Sequence, residues 1–212
     1  MPMAVLTTIF STSVPLLVGS LASAEERHFG TLDWQVLLPI ATWKQWAVKS
    51  GMALGLSLAL AIGVPVLLTA IHPSGDDLRI SAFDAVSVVA LTISGIYVSS
   101  LCTSGLRALL ASLVVAPAVL GVGLFYRVSV ANPGGLRPSI LPGRAASALT
   151  VRDEGSITVL PLVLVAAFLW LVLSFALENH RSAEPGAKRV GQQATMMASC
   201  LAIGAAILSV FW

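Results

Sequence analysis

The sequence predicts an all-α integral membrane protein: a polytopic helical bundle of about six transmembrane helices, with a short amphipathic helix at its cytoplasmic face. Three observations carry this reading. Of 212 residues, 57% are hydrophobic and only 10% charged, where soluble domains carry roughly 25% charged residues, and the mean hydropathy is +0.91. The charges collect in short stretches, leaving charge-free runs at 2–24, 50–75, 85–106, 108–126, 155–177 and 190–212. Each run can span hydrocarbon, which takes about 20 helical residues at a rise of about 1.5 Å. The runs are also continuous, without the alternation of barrel strands that face lipid on one side and a lumen on the other. A single domain, residues 1–212, follows, with spans near 2–22, 50–71, 83–103, 106–127, 157–177 and 192–212.

The first run ends in Ala22-Ser23-Ala24, a small-residue pattern that a signal peptidase could cut. A secretory signal, however, opens with a positive region and carries an apolar stretch of about 7 to 15 residues. Here the first basic residue is Arg27 and the run is span-length, so it reads as a membrane helix.

The loop 24–49 carries Glu25, Glu26 and Arg27, then Gly30 as a break. Thr31 follows as a helix N-cap, and Asp33 in the first turn suits the positive helix end. "TLDWQVLL" then sets Leu32, Val36 and Leu37 toward one face before Pro39 stops a helix of about two turns. Beyond it, Thr42 is expected to cap the next helix. Trp43, Lys44, Trp46 and Lys49 mark an interfacial approach, because indoles prefer the headgroup region and lysines snorkel. The loop as a whole is expected to lie flat on the membrane surface, apolar side down.

In the second span Gly51 and Gly55 form a GxxxG that lets helices approach closely. Asp84 opens the third span as an edge residue behind Asp76, Asp77 and Arg79. The fourth span holds Gly121 and Gly123. Pro15, Pro65, Pro117 and Pro161 fall within spans as kinks whose freed carbonyls neighbours can satisfy. The loop 128–157 has turn signals at Pro133-Gly134-Gly135 and Pro142-Gly143 and reads as a solvated outer connection. "ENHRSAEPGAKRVGQQ", broken by Pro185-Gly186, reads as a solvated inner linker. Cys102 and Cys200 read as small packing residues, with no CxxC and no nearby His pair for a metal.

Orientation follows from basic residues counted by side. A cytoplasmic first loop puts Arg27, Lys44, Lys49, Arg107, Arg181, Lys188 and Arg189 inside, against Arg79, Arg127, Arg137, Arg144 and Arg152 outside. All three lysines fall inside. The amino terminus is then outside, which an upstream helix missing from this chain would explain.

The segment "EERHFGTLDWQVLLPIATWKQWAVKSG" resembles the cytoplasmic loop of ABC-2 (type-2 ATP-binding-cassette) transporter permeases. The matching positions are Glu26, Gly30, Thr31, Leu32, Leu37, Leu38, Pro39 and Lys49. The resemblance implies that this loop is a coupling helix pressed by a separate ATPase subunit, that the permease works with a second permease subunit as a homo- or heterodimer in the cell membrane, and that it needs no cofactor. In such permeases the loop follows the second membrane helix, so the resemblance also implies an N-terminally truncated member. The span 192–212 departs from the family pattern.

Other classes find less in the sequence. A net charge of +2 without a basic patch argues against nucleic acid. A P-loop needs phosphate-cradling glycines before Lys-Ser or Lys-Thr, and Lys49-Ser50 follows Val48, so ATP hydrolysis falls to a partner. Glu25-Glu26 resembles the start of the CAAX-protease motif, but that motif wants an arginine at position 30, which is glycine. His28, His72 and His180 form no HExxH. An intramembrane hydrolase and a non-transporting scaffold are the alternatives to a permease.

Overall fold

The computed structural model describes residues 3–29, 40–71, 82–131, 159–181 and 186–211. Among them the regular elements are all helical: α1 (Met3–His28), α2 (Thr42–Leu58), α3 (Val64–Ile71), α4 (Ala82–Leu101), α5 (Gly105–Ala131), α6 (Val159–Arg181) and α7 (Ala187–Phe211), with a π turn, Ala59–Gly63, joining α2 to α3. Four stretches are long and apolar enough to cross a membrane: Thr42–Leu67, Asp84–Leu101, Val163–Arg181 and Ala187–Ile207. α1 and α5 carry the shorter apolar stretches Ile9–Ala22 and Gly105–Gly121.

Helix ends differ from the sequence expectation where no breaker stands in the way. α1 runs on through Glu25, Glu26 and Arg27 to His28, because glutamate and arginine are good helix formers and the first breaker is Gly30. These residues are therefore a last helical turn and not loop. α2 starts at Thr42, well before the expected span. Thr42 is its first helical residue and does not cap it; Ala41 holds the N-cap position without a side-chain bond. The backbone closes this end, with the Lys44 N–H donating to the Ala41 carbonyl at 2.9 Å, and the Gln45 side-chain amide donates to the Ile40 carbonyl at 3.0 Å.

α4 is the centre of the bundle. Of its span 56% is buried, against 28% for the α2–α3 and α6 spans and 6% for α7. Leu91 packs with Leu16 of α1 and Ala116 of α5. One turn on, Ile96 packs with Ala53 of α2 and Ala176 of α6, flanked by Val18, Ala22, Trp46 and Tyr97. α1 and α4 run parallel, since Leu16 meets Leu91, Gly19 meets Gly95, and the Ala24 N–H donates to Ser99 Oγ at 2.8 Å.

The close helix crossing lies at Gly19 and Gly95. A Cβ on Gly19 would sit 2.5 Å from the Thr92 carbonyl oxygen, and one on Gly95 would sit 3.0 Å from the Gly19 backbone. Gly51 and Gly55, the pair expected to make such a contact, are exposed with nothing within 4 Å of an added Cβ. Their helix presents that face outward, toward lipid or another chain.

The π turn and Pro65 interrupt the long α2–α3 rod together. The Val64 N–H reaches back five residues to the Ala59 carbonyl. Pro65 has no N–H to offer the Ala61 carbonyl one α-turn earlier, and Ser11 Oγ of α1 donates to that oxygen at 3.1 Å. A neighbouring helix thus satisfies the acceptor, as expected for a membrane proline. Pro15 and Pro117 lie inside α1 and α5. Pro161 differs from the expected kink: it is the third residue of α6, where the N–H is unpaired in any helix and its loss costs nothing.

Candidate functional site

The helices alternate in direction, so one end of the bundle gathers the C-termini of α1, α4 and α6 with the N-termini of α2, α5 and α7. Three contacts fix this end: Ala24 to Ser99, Trp46 against the Ile96 cluster, and Asn179 with Ser100 and Gln193. The six basic residues with described side chains, Lys44, Lys49, Arg107, Arg181, Lys188 and Arg189, all belong to it. Asp84 lies at the other end, in the first turn of α4, where a carboxylate complements the helix dipole and where the sequence placed an edge residue.

The connection from α1 to α2 leaves and returns at this end. Glu26 is in the last turn of α1, although its side chain is not among those described. Gly30, Thr31, Leu32, Leu37, Leu38 and Pro39 lie outside the described residues, and with them the expected amphipathic helix. Lys49 is half-buried on α2. Large apolar side chains flank the segment: Phe29, Ile40 and Trp43 are 69%, 52% and 52% exposed. Large apolar side chains exposed at both ends of the connection suit a surface for lipid or protein. The Lys44 ammonium lies 5.7 Å from the Trp43 ring centroid, an interfacial arrangement. Trp46 instead packs inward against the Ala53, Ile96 and Ala176 cluster, so of the two indoles expected at the interface one anchors the bundle.

The turn from α4 to α5 is short because Ser104 caps α5: the Arg107 N–H donates to Ser104 Oγ at 3.4 Å and the Ala108 N–H to the Ser104 carbonyl at 3.0 Å. Arg107 Nη1 also donates to Thr103 Oγ1 at 3.3 Å. These bonds hold the guanidinium at the rim. Cys102 is in this turn and half-buried, while Cys200 is exposed on α7. The packing role expected for both cysteines therefore does not hold for Cys200 within this chain.

Beneath the rim lies a polar cluster that the sequence reading placed in a solvated linker. Asn179 and His180 at the end of α6, and Gln193 on α7, are buried at 0%, 3% and 3% exposure. The Asn179 and Gln193 side chains exchange two amide hydrogen bonds of 3.0 Å. Tyr97 Oη donates to Gln193 Oε1 at 3.2 Å, and Asn179 Nδ2 also lies 3.5 Å from Ser100 Oγ. Ser100 Oγ in turn donates to the Tyr97 carbonyl at 2.6 Å. Above them Arg189 and Glu178 pair at 3.7 Å in an exposed position. The clue in the sequence was Gln193 itself, a polar residue at the mouth of an apolar run. Among the described residues no group of three or more His, Cys, Asp or Glu is poised to hold a metal.

No protein-family model, no curated protein and no solved structure matches this chain.

Proposed function

We propose that the chain is a membrane-spanning permease subunit of the ABC-2 type, which moves substrate using ATP hydrolysed by a separate subunit and works beside a second permease subunit in the cell membrane. One observation carries the reading. The segment with the motif Gly30-Thr31-Leu32, Leu37-Leu38-Pro39 joins two helices at the bundle end where Lys44, Lys49, Arg107, Arg181, Lys188 and Arg189 collect. Basic residues concentrate on the cytoplasmic side of membrane proteins, and that is the side on which an ATPase would be met.

In this reading six helices cross the bilayer. α1 and α5, 26 and 27 residues long, are each about 39 to 41 Å of helix, ample for a hydrocarbon core of about 30 Å. The segment 30–41 is the coupling element. Closure of the ATPase pushes it, and the push passes into α2, whose cytoplasmic half is packed through Trp46 and Ala53 against α4 and α6. The π turn and Pro65 separate that half from α3.

The test is a pull-down from mild detergent. A nucleotide-binding subunit is expected to accompany the chain, with crosslinks between Thr31 and Lys44. Leu37→Asp with Leu38→Asp places two charges in an apolar contact and is expected to weaken recovery of the partner by more than about tenfold, since burying an unpaired charge costs several kcal/mol, while membrane insertion is unchanged. Undiminished recovery of the ATPase would remove the coupling role from this segment.

A further inference from the structure

α7 stands apart from the other helices. Only 6% of its apolar span is buried in the chain, and between 187 and 207 Gln193 alone is fully buried. An apolar helix held by packing would bury a stripe of leucine, isoleucine or methionine. Instead Val190, Met197, Gly204 and Ile207 on the facing side are only half-buried, Leu201, Ile203 and Met196 are exposed, and the one residue that enters the bundle fully is a carboxamide. That carboxamide is well satisfied: it gives and takes one hydrogen bond with Asn179 of α6, and its oxygen also accepts from Tyr97 of α4. Ser100 bonds to the Tyr97 carbonyl and lies 3.5 Å from Asn179 Nδ2, so the receiving niche is built from α4 and α6.

We propose that α7 is an arm clasped to the bundle at one polar point, Gln193 in the Tyr97–Ser100–Asn179 niche, and that opening this clasp lets the arm change neighbours while α1, α2, α4, α5 and α6 stay packed. Two physical features give the clasp its character. A hydrogen-bonded amide pair is directional, so it fixes the rotation and height of α7 where exposed alkyl groups do not. In a membrane such bonds are also individually weak, so the clasp specifies a position without locking it. The exposed Arg189–Glu178 pair adds little to this, because water and salt screen a solvated ion pair.

The experiment measures distances between spin labels on the full chain in lipid nanodiscs, with Cys102→Ser to leave Cys200 as the native label site. The first pair joins Cys200 on α7 to Leu113→Cys on α5; the control, made with Cys200→Ser, joins Leu17→Cys on α1 to Leu113→Cys. Gln193→Leu is expected to split or broaden the first distribution and to leave the control unchanged. Exchanging the partners, Asn179→Gln with Gln193→Asn, rebuilds an amide pair and is expected to restore a single distribution. If Gln193→Leu fails to fold, Asn179→Leu with Gln193→Leu leaves no orphaned amide in the pair and gives the same reading. An unchanged first distribution, or an equal broadening of the control pair, overturns the proposal: the former means that α7 is held by other forces, the latter that the cluster holds the whole bundle.

Discussion

A side chain as small as one methyl decides how α1 and α4 meet. The Cβ of alanine at Gly19 would lie 2.5 Å from a backbone carbonyl oxygen, and backbone cannot move aside as a flexible side chain does. Gly19→Ala is therefore expected to lower stability by about 1 to 3 kcal/mol, the usual range for overpacking, read as a lower melting midpoint in detergent. Gly55→Ala meets open space and is expected to leave the midpoint of the isolated chain unchanged or slightly raised, since alanine is the better helix former by about 1 kcal/mol. Equal effects of the two would mean that the α1–α4 crossing is not where the bundle is closest. Ser11→Ala strips the Ala61 carbonyl of its donor beside Pro65 and is expected to cost about 1 kcal/mol; the same melting assay reads it.

At the scale of the element, legibility tracked the strength of each physical signal. Charge-free runs reported where helices lie, because a charge in hydrocarbon is costly and its absence over a span-length stretch is informative. Ends were less legible: Glu25, Glu26 and Arg27 are as content in a helix as in a loop, so the end of α1 depended on the first breaker, Gly30. Partner choice was least legible. GxxxG at Gly51 and Gly55 is a local pattern, whereas the contact made by Gly19 and Gly95 joins positions 76 apart, a pairing that neither position announces by itself. The same holds for Asn179 and Gln193, which read as linker and span edge until α6 and α7 bring them together. The expected capping by Thr31 and the turn "TLDWQVLL" remain sequence readings, and the residues of the candidate site that are described, Glu26 and Lys49, bracket them. In the α2–α3 rod the π turn sets where the helix divides; under the proposed coupling, Leu37→Asp and Leu38→Asp would act on the segment ahead of it.

For the whole molecule, one arrangement organises the rest: the polar cluster and the 30–41 connection share an end with Lys44, Lys49, Arg107, Arg181, Lys188 and Arg189, while Asp84 and Arg127, near the C-terminus of α5, belong to the other. The proposed function needs the end with the 30–41 connection at the cytoplasmic face, the side that the larger share of basic residues, seven against five by sequence, favours, and everything proposed about an external ATPase depends on it. The most direct measurement is therefore accessibility of single cysteines in intact cells, in a background carrying Cys102→Ser and Cys200→Ser. Gln35→Cys is expected to resist a membrane-impermeant maleimide until the membrane is permeabilised, whereas Ser139→Cys in the segment between α5 and α6 is labelled at once. Immediate labelling of Gln35→Cys with protection of Ser139→Cys would turn the molecule over and contradict the account.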